Sequence, residues 1–210
     1  MSGPFLPFTP KGKAVELLAI QVKQRLALGP EAVVDPVNAL ERVPARLVDP
    51  QELWKEDRET ARALFVDCGA HWSGIGFGKS PVDGKSLILL NQAHARTRQK
   101  ATLMEEIVHI VLDHPKTRVT ISNHEGIGVR THNSRVEDEA FNIGAACLLP
   151  YPELFHAVFH AQESASVIAS RHNLSVRYVE YRINRSGLYA VYRKHVDPAG
   201  WRSRSVNQSR

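Results

Sequence analysis

The chain has 210 residues and a mass of 23.5 kDa, enough for one substantial hydrophobic core and too short for a large multidomain enzyme. Its composition, 43% hydrophobic and 23% charged, is typical of a globular protein and excludes a disordered or fibrous one. The formal net charge is +5, but seven basic residues and one acidic residue lie from Arg182 onward, so the preceding part sums to about −1. This asymmetry excludes a uniformly basic nucleic-acid-binding surface.

The two cysteines, Cys68 and Cys147, are too few for a disulfide scaffold, and neither has a second thiol at the spacing of a metal site. Both are predicted to be buried in the protein core, and the protein is expected in a reducing compartment. The first 14 residues lack the pattern of a signal peptide, and no later segment approaches the ~18 consecutive apolar residues of a membrane span. We therefore expect a cytoplasmic protein with no membrane partner.

The N-terminal region, residues 1–70, is predicted to be mostly helical. Apolar residues recur at helical spacing over residues 14–26, before a Gly-Pro pair that ends the pattern. Two Asp-Pro pairs, which begin at Asp35 and Asp49, each offer an N-cap followed by proline at the first helical position. A short helix is expected after the first pair, and a longer one, to about Leu64, after the second.

Residues 72–91 predict a β-hairpin, because a glycine-rich run, a turn at residues 82–85 and an apolar run follow one another. Its first strand carries glycines at alternate positions, namely Gly74, Gly76 and Gly78. A phosphate-binding loop would need a helix directly after these glycines, and the sequence predicts none there. A twisted edge strand is the better interpretation.

Two strongly apolar helices are predicted over residues 96–113 and 136–149, and a proline follows each of them. Between them, residues 118–122 are β-branched and predict a short strand, whereas residues 123–134 predict a loop rich in Gly, Asn and His.

The last third predicts two helices, over residues 152–172 and 175–186, with the spacing of a helix-turn-helix motif. Arg182 and Arg185 share one face of the second helix, so contact with phosphate is an alternative to simple packing. No cluster of Asn, Gln or Lys for base recognition is present, and packing is favoured. The basic tail, residues 196–210, is predicted to be disordered.

The residues Glu105, Glu106 and His109 form a constellation on the first of the two apolar helices. Glu105 and His109, four residues apart, stack on one face, and Glu106 flanks them. An H-E-x-x-H helix presents two zinc ligands and a catalytic glutamate in this way, but here Glu replaces the first His. Taken alone, the pattern is more typical of a surface ion pair than of a metal site.

Glu137 strengthens the case, because it projects from the apolar face of the second helix, near Ala140 and Gly144. A carboxylate at such a place must be protonated, paired or bound to a cation. The alternatives are a solvated position in the first helical turn and an ion pair with Arg135. Small residues on this face would also let the helix approach another one closely.

Asn91, Arg98, the run of residues 102–109 and the run of residues 137–150 together resemble the ImmA/IrrE family of metallo-endopeptidases. In that family a strand ending in Asn leads into an H-E-x-x-H helix, and a downstream helix of pattern E-x-x-A-x-x-F-A-A-x-L-L-x-P brings the third zinc ligand. The resemblance covers approximately residues 85–190 and has no gap in the second run.

The resemblance implies an α+β, zincin-like fold, mostly helical, with a small twisted antiparallel sheet beside the active-site helix. Four regions are expected: an N-terminal helical region, a zincin-like core with the hairpin and both site helices, C-terminal helices packed on that core, and the disordered tail. Their bounds are residues 1–70, 71–150, 151–195 and 196–210.

By the same resemblance, His109 and Glu137 would be metal ligands and Glu106 the general base, while the first ligand position falls on Glu105. A carboxylate can bind zinc, but two of them would neutralise the charge of the ion and would suit a harder metal. The implied cofactor is zinc or another divalent ion.

Three histidines have less certain roles beside this site. His114 lies about 140° around an ideal helix from His109, so a surface or supporting position is expected. His124 and His132, in the predicted loop, are candidates for stabilising an oxyanion or filling a vacant coordination position.

The function implied is that of a metal-dependent endopeptidase, regulatory in role, that cleaves a partner protein such as a helix-turn-helix repressor and so acts in transcription regulation. The alternative is a catalytically impaired pseudo-peptidase that binds or senses a repressor or toxin partner. In a peptidase, the edge of the hairpin could bind an extended peptide substrate as an added strand, or the hairpin could only support the active-site helix. Direct binding of nucleic acid through the C-terminal helices and tail is disfavoured.

Overall fold

The computed structural model describes residues 5–67, 69, 72–115 and 134–196. The fold is α+β and mostly helical, as the sequence predicts. In chain order its elements are α1 (Pro10–Arg25), α2 (Pro36–Leu40), β1 (Ala45–Leu47), α3 (Pro50–Glu56), α4 (Arg58–Arg62), a π-helical turn (Ala63–Asp67), β2 (Gly74–Lys79), β3 (Ser86–Leu90), α5 (Arg96–Val111), α6 (Ser134–Leu148), α7 (Tyr151–Phe155), a second π-helical turn (His156–His160), α8 (Ala165–His172), α9 (Val176–Arg185) and α10 (Tyr189–His195).

Several predictions of the sequence fall outside the described residues: the strand at 118–122, the loop with His124 and His132, Cys68, and the tail beyond Val196. Cys147 is buried, as predicted. Within the described ranges, every helix is too short or too polar to cross a lipid bilayer.

Aspartate caps determine where the N-terminal helices begin. The Asp35 carboxylate accepts hydrogen bonds from two backbone N–H groups at the start of α2, and Asp49 accepts one at the start of α3. The single long helix predicted after Asp49 is wrong, because α3 ends at Glu56. Asp57 has extended backbone, and its side chain accepts a hydrogen bond from the N–H of Thr60, so it begins a new helix, α4.

The predicted hairpin is present, and one further strand joins it. β2 pairs antiparallel with β3, and β1 pairs parallel with the other side of β3, with Ala45 opposite Ser86. The strand order is β1-β3-β2, so the small sheet is mixed rather than purely antiparallel. Three residues are too few to show a period-two pattern, which is why β1 escapes prediction. β2, the glycine-rich strand, lies at an edge of this sheet, as expected.

Of the two predicted C-terminal helices, the first is divided and the second agrees with α9. The helix expected over residues 152–172 is interrupted at Gln162, whose φ of 50° is left-handed, and Ser164 then caps α8. Asn173, also left-handed, ends α8 and leads into α9. A third helix, α10, follows where the sequence predicts none.

One hydrophobic core joins the N-terminal, central and C-terminal helices, with Ala19 of α1, Ile143 of α6 and Tyr192 of α10 among its members. α5 and α6 pack closely at Gly144. A Cβ atom there would lie 3.5 Å from the backbone nitrogen of Glu105 and 3.6 Å from the Cγ atom of Met104. The small-residue face predicted for α6 therefore lets it approach the helix that carries Glu105.

Arg182 is an internal residue, as the packing interpretation predicts. It is 2% exposed, and its guanidinium contacts the carboxylate of Glu16 on α1. It also donates hydrogen bonds to the carbonyl of Leu149 at 3.0 Å and to the hydroxyl of Ser186. Arg185 donates to the side chain of Asn142 on α6 at 3.0 Å. Both arginines of this face thus bind the body of the protein.

Candidate metal centre

Asn91, the residue that directly follows β3, ties the start of α5 to the hairpin. Its amide nitrogen donates to the carbonyls of Gly69 and Trp72, at 2.7 and 3.0 Å, and its amide oxygen accepts from the N–H of Ala93. In the first turn of α5, Arg98 donates two hydrogen bonds to the hydroxyl of Ser73. These contacts hold α5 beside β2.

Three side chains from two helices converge beside this sheet. Glu105 and His109 on α5 and Glu137 on α6 each offer a ligand atom, and these atoms lie within 4.8 Å of one another. The Nε2 atom of His109 is 3.7 Å from a carboxylate oxygen of Glu137, and the two side chains are 18% and 26% exposed. The structure therefore brings together the three residues that the sequence selected as ligands.

This donor set fits a divalent metal ion. Ligand atoms at the usual 2.0–2.2 Å from a four-coordinate ion lie about 3 to 4 Å apart, close to the His109–Glu137 separation. One imidazole and two carboxylates supply borderline and hard donors, which suit zinc or a harder divalent ion. Glu105, His109 and Glu137 are the residues that could hold it.

Glu106 lines a cavity of about 290 Å³ that lies between the hairpin and α5, and two of the converging side chains, His109 and Glu137, line it as well. Apolar groups, including Phe77, Ile88 and Ile110, line much of it, and Lys79 and Asp113 add charge. The carboxylate of Glu106 lies against β2, since a Cβ atom at Gly76 would be 2.7 Å from its Oε2 atom. A carboxylate so placed can exchange a proton with a molecule bound in the cavity.

His114 lies against His109, which ideal helix spacing does not predict. α5 ends at Val111, and Asp113 has a left-handed φ of 53°, so the chain turns back and the N–H of His114 donates to the carbonyl of His109. The Nδ1 atoms of the two imidazoles are 3.1 Å apart. The Nε2 atom of His114 is 4.0 Å from a carboxylate oxygen of Glu139. His114 thus supports His109 on the side opposite Glu137.

Tyr178 is a neighbour of the site that the sequence does not single out. It lies on α9, and burial, with a smaller contribution from the charge of Glu105, raises its pKa well above the usual value of a phenol. Tyr178 therefore stays protonated beside this carboxylate. Its position in the apolar stripe of α9 gave the only local signal, and that signal is typical of an ordinary core residue.

Comparison with known protein families agrees with this geometry. Residues 71–184 match the family model described as the IrrE N-terminal-like domain. The match covers more than half of the chain and includes the hairpin, α5, α6 and the helices through most of α9. No curated protein and no solved structure matches the chain significantly. The matched residues also contain the three side chains that converge in the structure. The chain therefore belongs to the ImmA/IrrE family of metallopeptidases.

Proposed function

We propose that this protein is a metal-dependent endopeptidase that cleaves a partner protein in a regulatory step. Glu105, His109 and Glu137 would hold the metal, and Glu106 would be the general base. The observation that carries the proposal is the convergence of the three ligand-type side chains within 4.8 Å, two of which line the same cavity as Glu106.

Glu106, rather than Glu105, suits the role of base because the two carboxylates face different surroundings. Glu105 belongs to the converging cluster, whereas Glu106 borders the cavity where a peptide would bind. A divalent metal, when bound, polarises the peptide carbonyl and acidifies a water molecule. Glu106 would take a proton from the attacking water at its carboxylate oxygen and return it to the leaving amine.

The ligand set supports a divalent ion other than zinc as well as zinc itself. Two carboxylates and one imidazole carry a formal charge of about −2, which offsets that of the ion and weakens its effect on bound water. Oxygen-rich sets favour harder ions such as Mn²⁺. We therefore expect this site to accept Mn²⁺ at least as readily as a site with two histidines would.

The cavity supports a peptide as the substrate. Its apolar lining from the hairpin and α5 can take a hydrophobic side chain next to the converging residues. A helix-turn-helix repressor is the partner class that the family resemblance implies.

The change Glu106→Gln tests the proposed activity. Labelled casein and candidate repressors are incubated with the protein plus ZnCl₂ or MnCl₂, and products are followed by mass spectrometry. Cleavage by the wild type should disappear with EDTA and fall by at least about 100-fold in Glu106→Gln, because that amide cannot accept the proton. Asp138→Asn, an exposed neighbour of Glu137, is the control and should retain activity.

A binding or sensing module without peptidase activity is the second candidate, and the Glu at the first ligand position favours it. Such a module would bind its repressor or toxin partner equally well as wild type and as Glu106→Gln. If the wild type binds a partner but cleaves neither that partner nor casein with either metal, the endopeptidase proposal is wrong and the module is supported.

A further inference from the structure

The carboxylate of Glu106 rests across two glycines of β2. Gly74 and Gly76 alternate along the regular part of the strand and so share one face, whereas the pairing with β3 is irregular between Gly76 and Lys79. A Cβ atom at Gly74 would lie 3.4 Å from Oε1 of Glu106, and one at Gly76 would lie 2.7 Å from Oε2. At Gly78, a Cβ atom would meet nothing within 4 Å. The carboxylate of Glu106 therefore occupies the space beside Gly74 and Gly76, whereas the space beside Gly78 is open.

Backbone conformation does not require glycine at these positions. None of the three has the positive φ that favours glycine; among the described glycines, Gly84 and Gly187 have it. Glycine also lowers the stability of a strand interior, since it has no side chain to pack. Glycine in a strand often marks a bulge or a close approach by another group. The register of β2 is irregular from Gly76 to Lys79, and the group that approaches Gly76 closely is Glu106.

We infer that Gly76 is a positioning residue for Glu106: its missing side chain provides the space that the carboxylate occupies beside the cavity. The inference rests on the proposed role of Glu106 as general base and deepens it. It separates Gly76 from Gly74, where an added Cβ atom would meet the methyl group of Thr102 well before it met Glu106 or Leu90, so that Gly74 serves mainly the packing of α5 on the hairpin.

A methyl group at position 76 would move the carboxylate rather than the fold. Cβ atoms essentially never come within 3.0 Å of another heavy atom, so the 2.7 Å contact cannot persist. The contacting atom is the far end of a flexible side chain, which yields more easily than the strand or helix backbone. A reacting group misplaced by about 1 Å can lose about 100-fold in rate. The effect should thus fall on the chemical step.

The test compares Gly76→Ala with Gly78→Ala, a control on the same strand at which an added Cβ atom meets nothing within 4 Å. Cleavage of labelled casein, Mn²⁺ affinity by calorimetry and thermal melting are measured for each. Gly76→Ala should lower kcat about 10- to 100-fold while KM and the Mn²⁺ Kd change less than about threefold. Gly78→Ala should keep the kcat of the wild type. Equal kcat values for the two variants would overturn the inference.

A cycle with Glu106→Asp asks whether the effect acts through Glu106. The shorter aspartate leaves room for the methyl group, so Glu106→Asp should cost less kcat in the Gly76→Ala background than in the wild type. Additive losses would show that Gly76 acts independently of Glu106. If Gly76→Ala alone fails to fold, the added change Glu106→Ala should restore the folded protein, and failure to do so also overturns the inference.

A readout without catalysis keeps this test separate from that of the proposed function. In a crystal structure of Gly76→Ala, the Glu106 carboxylate should be displaced while the backbones of β2 and α5 stay in place. This result stands even if the wild type cleaves nothing. A carboxylate that keeps its place while β2 moves away would contradict the positioning role.

Discussion

Glu105 occupies the position of the first histidine in an H-E-x-x-H pattern, on the turn of α5 that Gly144 packs against. Its carboxylate still reaches His109 and Glu137, so the substitution preserves the convergence of the ligand atoms. What changes is the charge, because a neutral imidazole is replaced by an anion. An anion at position 105 would offset the charge of a bound divalent ion and so weaken its effect on bound water.

The change Glu105→His should tighten zinc binding and raise peptidase activity. It restores the neutral imidazole of an H-E-x-x-H helix, which leaves more positive charge on the ion. We expect at least about a tenfold lower Kd for Zn²⁺, measured by competition with a chromogenic chelator. Asp138→His adds an imidazole outside the cluster and should leave the Kd unchanged. An unchanged or weaker affinity in Glu105→His would show that position 105 does not contact the ion.

At the scale of elements, a buried ion pair connects α1, in the N-terminal region, with α9, in the C-terminal region. Glu16 on α1 and Arg182 on α9 are each 3% exposed in their side chains, and the hydrogen bonds of Arg182 to Leu149 and Ser186 complete the cluster. Burial lowers the pKa of Arg182 to about 9, so the guanidinium remains charged at neutral pH. The pair holds α9, which carries Tyr178, against the helices of the site.

Removing one partner of this pair should destabilise the whole protein. Arg182→Met leaves the Glu16 carboxylate buried without its cation, which costs about 3 to 5 kcal/mol in the free energy of unfolding. Arg177→Met, on the exposed face of α9, should change it by no more than about 0.5 kcal/mol. Urea unfolding followed by circular dichroism measures both. Equal losses in the two variants would contradict the structural role of Arg182.

Local signals account for the elements that the sequence predicts correctly. α1, α5 and α6 show helical periodicity, and the Asp caps mark the starts of α2 and α3. The predictions of secondary structure are wrong where contacts between residues distant in sequence determine the conformation. β1 is held by its pairing with β3, and α7 is separated from α8 by the left-handed Gln162, which no typical turn residue announces.

In the candidate site too, local sequence signals predict some features, whereas contacts between distant elements determine the others. The stacking of Glu105 and His109 is a property of one helix, and the apolar surroundings of Glu137 are visible on another, so both could be inferred before the structure. The contact of His114 with His109 depends on the turn at Asp113. The fit of Glu106 against Gly76 depends on how β2 lies beside α5, which periodicity does not encode.

At the scale of the whole molecule, the charge distribution separates the site from the basic excess. The cavity and its edge carry Glu105, Glu106, Glu137 and Asp113 with Lys79 as a cationic neighbour, an arrangement that attracts a cation. The basic surplus begins at Arg182, which is itself buried, so the net charge of +5 says little about the reaction.

Metal binding by the purified protein tests the central claim most directly. Calorimetry with Mn²⁺ and Zn²⁺, checked by elemental analysis, should give one ion per chain for the wild type, Glu106→Gln and Asp138→Asn. Glu137→Gln should weaken the affinity by at least about 10- to 100-fold, since it removes an anionic ligand. A wild type that binds neither ion, or a Glu137→Gln variant that binds as tightly as the wild type, would contradict the account.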